Sequence, residues 1–143
     1  MNKNIFKHSL PSFCTSNSDV LRAIIIFCKY HNLPVLIEST SNQVNQHGGY
    51  SGLKTHQFAK KIRTIAKQLK HNKKPIIIGG DHLGPLPWKK LNIKTALKNS
   101  KILIRDCLKA NYKKIHIDTA IICRGEKKID RLVNKLYVSY VKN

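Results

Sequence analysis

The segment Pro75-Ile76-Ile77-Ile78-Gly79-Gly80 constrains the fold more than any other part of the chain. It is a continuous apolar run closed by two glycines. Runs of this kind suit strands buried on both faces, as in a parallel sheet. Parallel strands cannot be joined by tight turns. They need crossover connections, usually helices. The rest of the sequence supplies that alternation of strand and helix.

Phe13-Cys14-Thr15 predicts a weak first strand, and Ser16 and Ser18 offer helix N-caps with Asp19 in the first turn. Leu21, Ile24, Ile25 and Cys28 fall at helical spacing, and Asn32 supplies a stop. Residues 34–38 (Pro-Val-Leu-Ile-Glu) predict a second strand. Thr55 predicts a cap for a second helix, whose apolar stripe is Phe58, Ile62, Ile65, Ala66 and Leu69. A third helix is expected over residues 95–110, with Leu97, Ile104, Cys107 and Leu108 inward and Asn111 just past its end. Lys114-Ile115-His116-Ile117-Asp118 predicts a fourth strand, and Leu132, Val133, Leu136, Tyr137, Tyr140 and Val141 a last amphipathic helix. The expectation is a single α/β domain over residues 1–143. Two architectures fit it: an open doubly wound sheet, and part of a (β/α)₈ barrel.

Composition removes several classes of function. Apolar residues make up 41% of the chain, enough for a packed core. The longest apolar run, residues 23–28, is far short of the ~20 residues a membrane-spanning helix needs. The first eight residues carry some positive charge with no apolar segment behind it, so the reading is a cytoplasmic protein. Cys14, Cys28, Cys107 and Cys123 are scattered, with no close pair of the kind that structural zinc sites use, and read as plain thiols. The net charge of +20 raises the question of nucleic acid. Lysines spread singly and in pairs, scarce arginine and the lack of a basic block interleaved with aromatics predict only nonspecific, salt-sensitive binding.

The chain holds seven acids, and three of them, Glu38, Asp81 and Asp118, fall at or just past the end of a predicted strand. In both architectures that edge carries the active site. All three are therefore candidate catalytic residues. Gly79-Gly80-Asp81-His82-Leu83-Gly84-Pro85 places an Asp and a His side by side after two glycines that let backbone approach a ligand. His82 is a candidate metal ligand. His116, inside a predicted strand, could face either way. Downstream of the second strand, the amides of Asn42, Gln43, Asn45 and Gln46, together with Gly79 and Gly80, are candidates for binding hydroxyls or phosphates of a sugar.

These motifs resemble one family. Val35-Leu36-Ile37-Glu38-Ser39-Thr40-Ser41-Asn42-Gln43-Val44-Asn45-Gln46, followed by Gly48-Gly49-Tyr50, is very similar to the N-terminal signature of the accessory GatZ/KbaZ-type subunits of class II D-tagatose-1,6-bisphosphate aldolase. Residues 79–85 with Trp88, and then residues 114–118, match that family's next two motifs in order and spacing. The resemblance implies the first four units or so of a class II aldolase-type (β/α)₈ barrel, about the first third of a full-length member. It implies a non-catalytic subunit that supports the stability and activity of a separate catalytic subunit in galactitol or N-acetylgalactosamine catabolism. Zinc would belong to that partner. In related class II aldolases an Asp-His pair at this strand tip supplies the proton-transfer acid and one metal ligand, which would carry onto Asp81 and His82. After Asp118 the match fades. A half-barrel is expected to leave two strand edges unpaired and an apolar interior exposed, and so to self-associate or pair with another chain. Two other functions compete: a metal-dependent aldolase or sugar epimerase active in its own right, and a basic nucleic-acid-binding protein.

Overall fold

A computed structural model describes residues 10–125. The order is β1 (Ser12–Cys14), α1 (Ser18–Tyr30), β2 (Val35–Thr40), α2 (Thr55–Gln68), β3 (Ile76–Leu83), a 3₁₀ turn (Leu86–Trp88), α3 (Ile93–Lys109) and β4 (Lys114–Ile117). The amphipathic helix expected from Leu132 to Val141 lies outside the described residues. All four strands are parallel and stand side by side in chain order. That order decides between the two architectures. A doubly wound sheet reverses direction at a switch point, whereas a barrel adds each strand beside the last. The described residues form a partial barrel of the second kind.

Four local expectations need correction. α1 is capped by Asn17, whose Oδ1 accepts from the N–H groups of Asp19 and Val20, rather than by Ser16 or Ser18. Thr55 is the first helical residue of α2 and not its cap; its hydroxyl donates to the Asp106 carbonyl of α3 and ties the two helices together. α3 begins two residues earlier than expected because Asn92 Oδ1 accepts from the Thr95 N–H. Its buried stripe is Ala96, Ser100, Leu103, Ile104 and Cys107. Leu108 sits one residue, about 100° of helix, beyond that stripe and is 58% exposed instead of inward.

All three helices end the same way. Asn32, Lys70 and Asn111 take positive φ of 54°, 53° and 64°. The next N–H in each case, from Leu33, His71 and Tyr112, returns to the carbonyl of Cys28, Ala66 and Cys107. These are Schellman closures, which satisfy carbonyls left open at a helix end. Asn tolerates the left-handed region and Lys does not. Lys70→Gly is therefore expected to stabilise the chain by about 1 kcal/mol, read as a raised urea midpoint with unchanged slope.

The two faces of the sheet differ in character. Val35, Ile37 and Ile78 belong to the core beneath the helices, together with Leu21, Ile25, Phe58, Ile62 and Leu103, and Phe13, Ile76, Ile115 and Ile117 pack against it. Alternation puts Ser12, Cys14, Leu36, Glu38, Thr40, Ile77, Gly79, Asp81, Lys114 and His116 on the opposite face. The apolar interior expected of this half-barrel is thus largely polar and ionic. Leu36 and Ile77 are its only large apolar members among the described strands.

Candidate functional site

The site forms where β3 and β4 end. β3 runs three residues past the expected Gly80, so Asp81 and His82 are strand residues. Strict alternation would send their side chains to opposite faces. The strand avoids this with an irregularity between Gly80 and Leu83, and His82 takes a φ of 101°. A bulge of this kind re-aims side chains. Here Leu83 stays in the core at 1% exposure, while Asp81 and His82 reach the same neighbour, His116 of β4. A non-glycine residue in this backbone region costs on the order of 1–3 kcal/mol and persists only where its surroundings enforce it. The Ser41 hydroxyl, from the loop after β2, donates to the His82 carbonyl at 3.1 Å and helps to do so. Gly80 contributes by its lack of a side chain, since a Cβ there would lie 2.4 Å from Leu83 Cδ1.

His116 Nδ1 lies 2.9 Å from Asp81 Oδ1, and His82 Nε2 lies 3.9 Å from the same oxygen. The two imidazoles meet edge to face with centroids 4.4 Å apart. Partial burial alone would raise the Asp81 pKa. The hydrogen bond from His116 and the electrostatic influence of His82, His116 and Lys114 together outweigh it, and the carboxyl is held below its ordinary value. A depressed carboxyl stabilises the fold above its unfolded pKa and loses that contribution as pH falls through its folded pKa. The stability difference between the native chain and Asp81→Asn is accordingly expected to be widest near neutral pH and to narrow below about pH 4, measured by urea unfolding across that range.

Asp81, His82 and His116 each offer one ligand atom, all within 4.8 Å of one another. Two imidazole nitrogens and one carboxylate oxygen fit a zinc-type cation, which takes three protein ligands at a catalytic site and leaves a position open. A cation there would act as a Lewis acid toward a carbonyl or phosphoryl oxygen. His116 was the residue that sequence reasoning left undecided. Ile115 and Ile117 on the core side imply that Lys114 and His116 share the other face, and that alternation is the signal that assigns it.

Glu38 and Asp118 do not join this cluster through a hydrogen bond or ion pair. Glu38 lies in the middle of β2 and is 2% exposed. Its carboxylate accepts from the Ser12 hydroxyl and pairs with Lys114 Nζ, which lies 2.8 Å from Oε1 and 2.9 Å from Oε2. The pair spans β3 above Gly79, where a Cβ would fall 2.8 Å from Glu38 Oε1. Gly79 therefore makes room for an ion pair. Asp118 follows β4, and its Oδ1 accepts from the Ala120 N–H in a local turn. Cys14 Sγ donates to Gln43 Oε1 beside these acids. Burial, with the nearby charges of Asp81 and Glu38, pushes its thiol up to about 11, so it is not a reactive thiolate.

The amide-rich loop is built largely on its own side chains. Gln43 Oε1 accepts from the Thr40 N–H. Asn45 Nδ2 donates to the Ser41 carbonyl, while its Oδ1 accepts from the N–H groups of His47 and Gly49. Gln46 Nε2 donates to the Asn99 carbonyl of α3. These three amides satisfy backbone groups that the buried loop would otherwise leave orphaned. Asn42 is half-buried, and its carbonyl accepts from the Tyr50 N–H.

Comparison with known proteins bears on the whole arrangement. Residues 1–137 match the family model described as D-tagatose-1,6-bisphosphate aldolase subunit GatZ/KbaZ-like. The chain is 39% identical over 115 residues to the D-tagatose-1,6-bisphosphate aldolase subunit GatZ of Escherichia coli strain K12, covering 80% of this chain and 27% of that protein. It is equally similar, over the same shares, to the subunit of that name from Shigella boydii serotype 18. A crystal structure described as a probable tagatose 6 phosphate kinase from Sinorhizobium meliloti 1021 superposes with a TM-score of 0.79 at 34% identity, over 92% of this chain and 37% of that one. The chain thus spans little more than a quarter of the length of the curated relatives it matches.

Proposed function

The chain belongs to the D-tagatose-1,6-bisphosphate aldolase subunit GatZ/KbaZ-like family, and we propose that it serves as an accessory, non-catalytic subunit of a class II D-tagatose-1,6-bisphosphate aldolase. It binds a separate catalytic subunit and raises that subunit's stability and activity, in the cytoplasm, in galactitol or N-acetylgalactosamine catabolism. The observation that carries this reading is the family match, whose span of residues 1–137 includes the Ser41–Tyr50 loop, the Asp81-His82 bulge and β4. No helix among the described residues is long and apolar enough to cross a membrane. Neither independent catalysis nor nucleic-acid binding gains support from these relatives.

In this reading Asp81, His82 and His116 form an acid, base and metal-ligand group that faces the same side of the sheet as the Glu38–Lys114 pair. Asp81 holds a negative charge next to both imidazoles and can accept or orient a proton at Oδ1. The test is reconstitution. The full chain is mixed with a purified catalytic subunit, and aldol cleavage of tagatose 1,6-bisphosphate is followed together with the melting temperature of the mixture. A rise in both, with no turnover by the chain alone, is the expected result. If the partner's rate and melting temperature stay unchanged, the accessory role is lost.

A further inference from the structure

The partial barrel is open on two sides. Among the described residues β1 pairs only with β2 and β4 only with β3, so each has one edge of unpaired backbone N–H and C=O groups. The helices on those two sides carry large exposed apolar side chains: Val20, Ile26, Phe27 and Tyr30 on α1, and Leu108 on α3. α2, which stands between them, has none. Apolar residues exposed at random would not spare the middle helix.

Their position around each helix is more specific. Arg22 Nη2 donates to Gln68 Oε1, which marks the side of α1 that faces α2. At about 100° per residue, Phe27 and Val20 lie about 140° and 160° round the helix from Arg22, on the flank turned away from α2 and toward the free side of β1. On α3 the Asp106 carbonyl accepts from the Thr55 hydroxyl of α2. Leu108 lies about 160° round from Asp106, on the flank toward the free side of β4. Phe27 and Leu108 both stand in the last turn of their helices, and the two helices run the same way, so both side chains sit at one level of the barrel.

Whatever completes this structure must offer a parallel strand and an apolar helix flank on each side. A second copy of the chain offers both, because its β4 and α3 side complements the β1 and α1 side of the first, and the reverse. We propose that two copies pair β4 of each with β1 of the other, about a two-fold axis along the barrel, and so close one eight-stranded barrel. Rotation about that axis keeps every strand parallel. Phe27 of one copy meets Leu108 of the other at both junctions. The polar faces, each with its Glu38–Lys114 pair, line a shared interior, and the two groups of Asp81, His82 and His116 gather at one rim. β1 of the second copy, with Ser12 and Cys14 on its polar face, comes beside Lys114 and His116, so each group is bordered by both chains. The pairing involves this chain alone and stands whether or not the accessory-subunit reading does.

Sedimentation velocity of the full chain over a range of concentrations should show a dimer and nothing larger. Added salt should tighten it, since each copy carries a net charge of +20. Phe27→Asp and Leu108→Lys change exposed positions and leave the core intact. Each alone should weaken the dimer by about thirtyfold or more, with unchanged far-UV circular dichroism. An equimolar mixture of the two variants should dimerise again, because one junction is then native and the other joins Asp to Lys. Tyr30→Asp replaces a side chain that is 85% exposed but points outward from the junction, and should leave the dimer unchanged. A monomer at every concentration would overturn the proposal, as would oligomers that grow without limit. Equal losses from the Tyr30 and Phe27 variants would overturn it by showing general stickiness of α1, and a mixture that stays monomeric would exclude the pairing of β4 with β1.

Discussion

Gly49→Ala is expected to destabilise the chain by about 3–4 kcal/mol, from a left-handed backbone that Ala resists together with a clash that cannot relax. Gly49 has a φ of +55°, and a Cβ there would lie 2.4 Å from the Gln43 carbonyl oxygen and 2.6 Å from that of Asn42. Both neighbours are backbone. Both are also held by the loop's own bonds, since the Tyr50 N–H donates to Asn42 and the Ser51 N–H to Gln43. Gly52 is the control. Its φ is +73° with nothing within 4 Å of an added Cβ, so Gly52→Ala should cost only the conformational term, about 1–2 kcal/mol. Urea unfolding of the two variants separates clash from strain. Equal losses would mean that the loop gives way, and that its amides do not hold it as the hydrogen bonds indicate.

Lys114→Met should cost about 2–3 kcal/mol, because it leaves the Glu38 carboxylate buried with the Ser12 hydroxyl as its remaining side-chain donor. The full penalty of an orphaned buried charge is reduced here because the Lys114 side chain is 44% exposed. A companion variant makes the argument specific. Replacing Glu38 and Lys114 together with methionines should recover most of the loss, since the cost comes from an unpaired charge and not from a missing attraction. If the double variant is as unstable as the single one, packing around Gly79 is the stronger constraint.

The architecture was legible because burial writes itself into hydrophobic period. Ile76-Ile77-Ile78 announced a strand of a parallel sheet, although Ile77 lies half-buried on the polar face rather than fully covered, and the stripes of α1 and α2 gave their buried faces directly. Strand order was not legible, since one alternation of strand and helix serves both an open sheet and a barrel. The polar face escaped notice for a related reason. Glu38 reads as the end of an apolar strand, yet β2 continues through Ser39 and Thr40 and turns that acid inward toward Lys114, 76 positions along the chain. The cluster itself depended on one backbone event. Nothing in the residue types of Asp81 and His82 reveals that the strand breaks its alternation there, and without that break the two side chains could not share His116. The amide loop was misleading in the opposite sense. Its composition suits a sugar site, but three of its four candidate amides spend hydrogen bonds on the protein itself.

Sedimentation velocity of the purified chain with a class II tagatose-bisphosphate aldolase catalytic subunit tests the central claim most directly. The accessory-subunit account predicts a single faster boundary that contains both chains in fixed proportion and persists at a salt concentration that screens the charge of +20. Two independent boundaries, or a complex that dissolves as salt is raised, would contradict it.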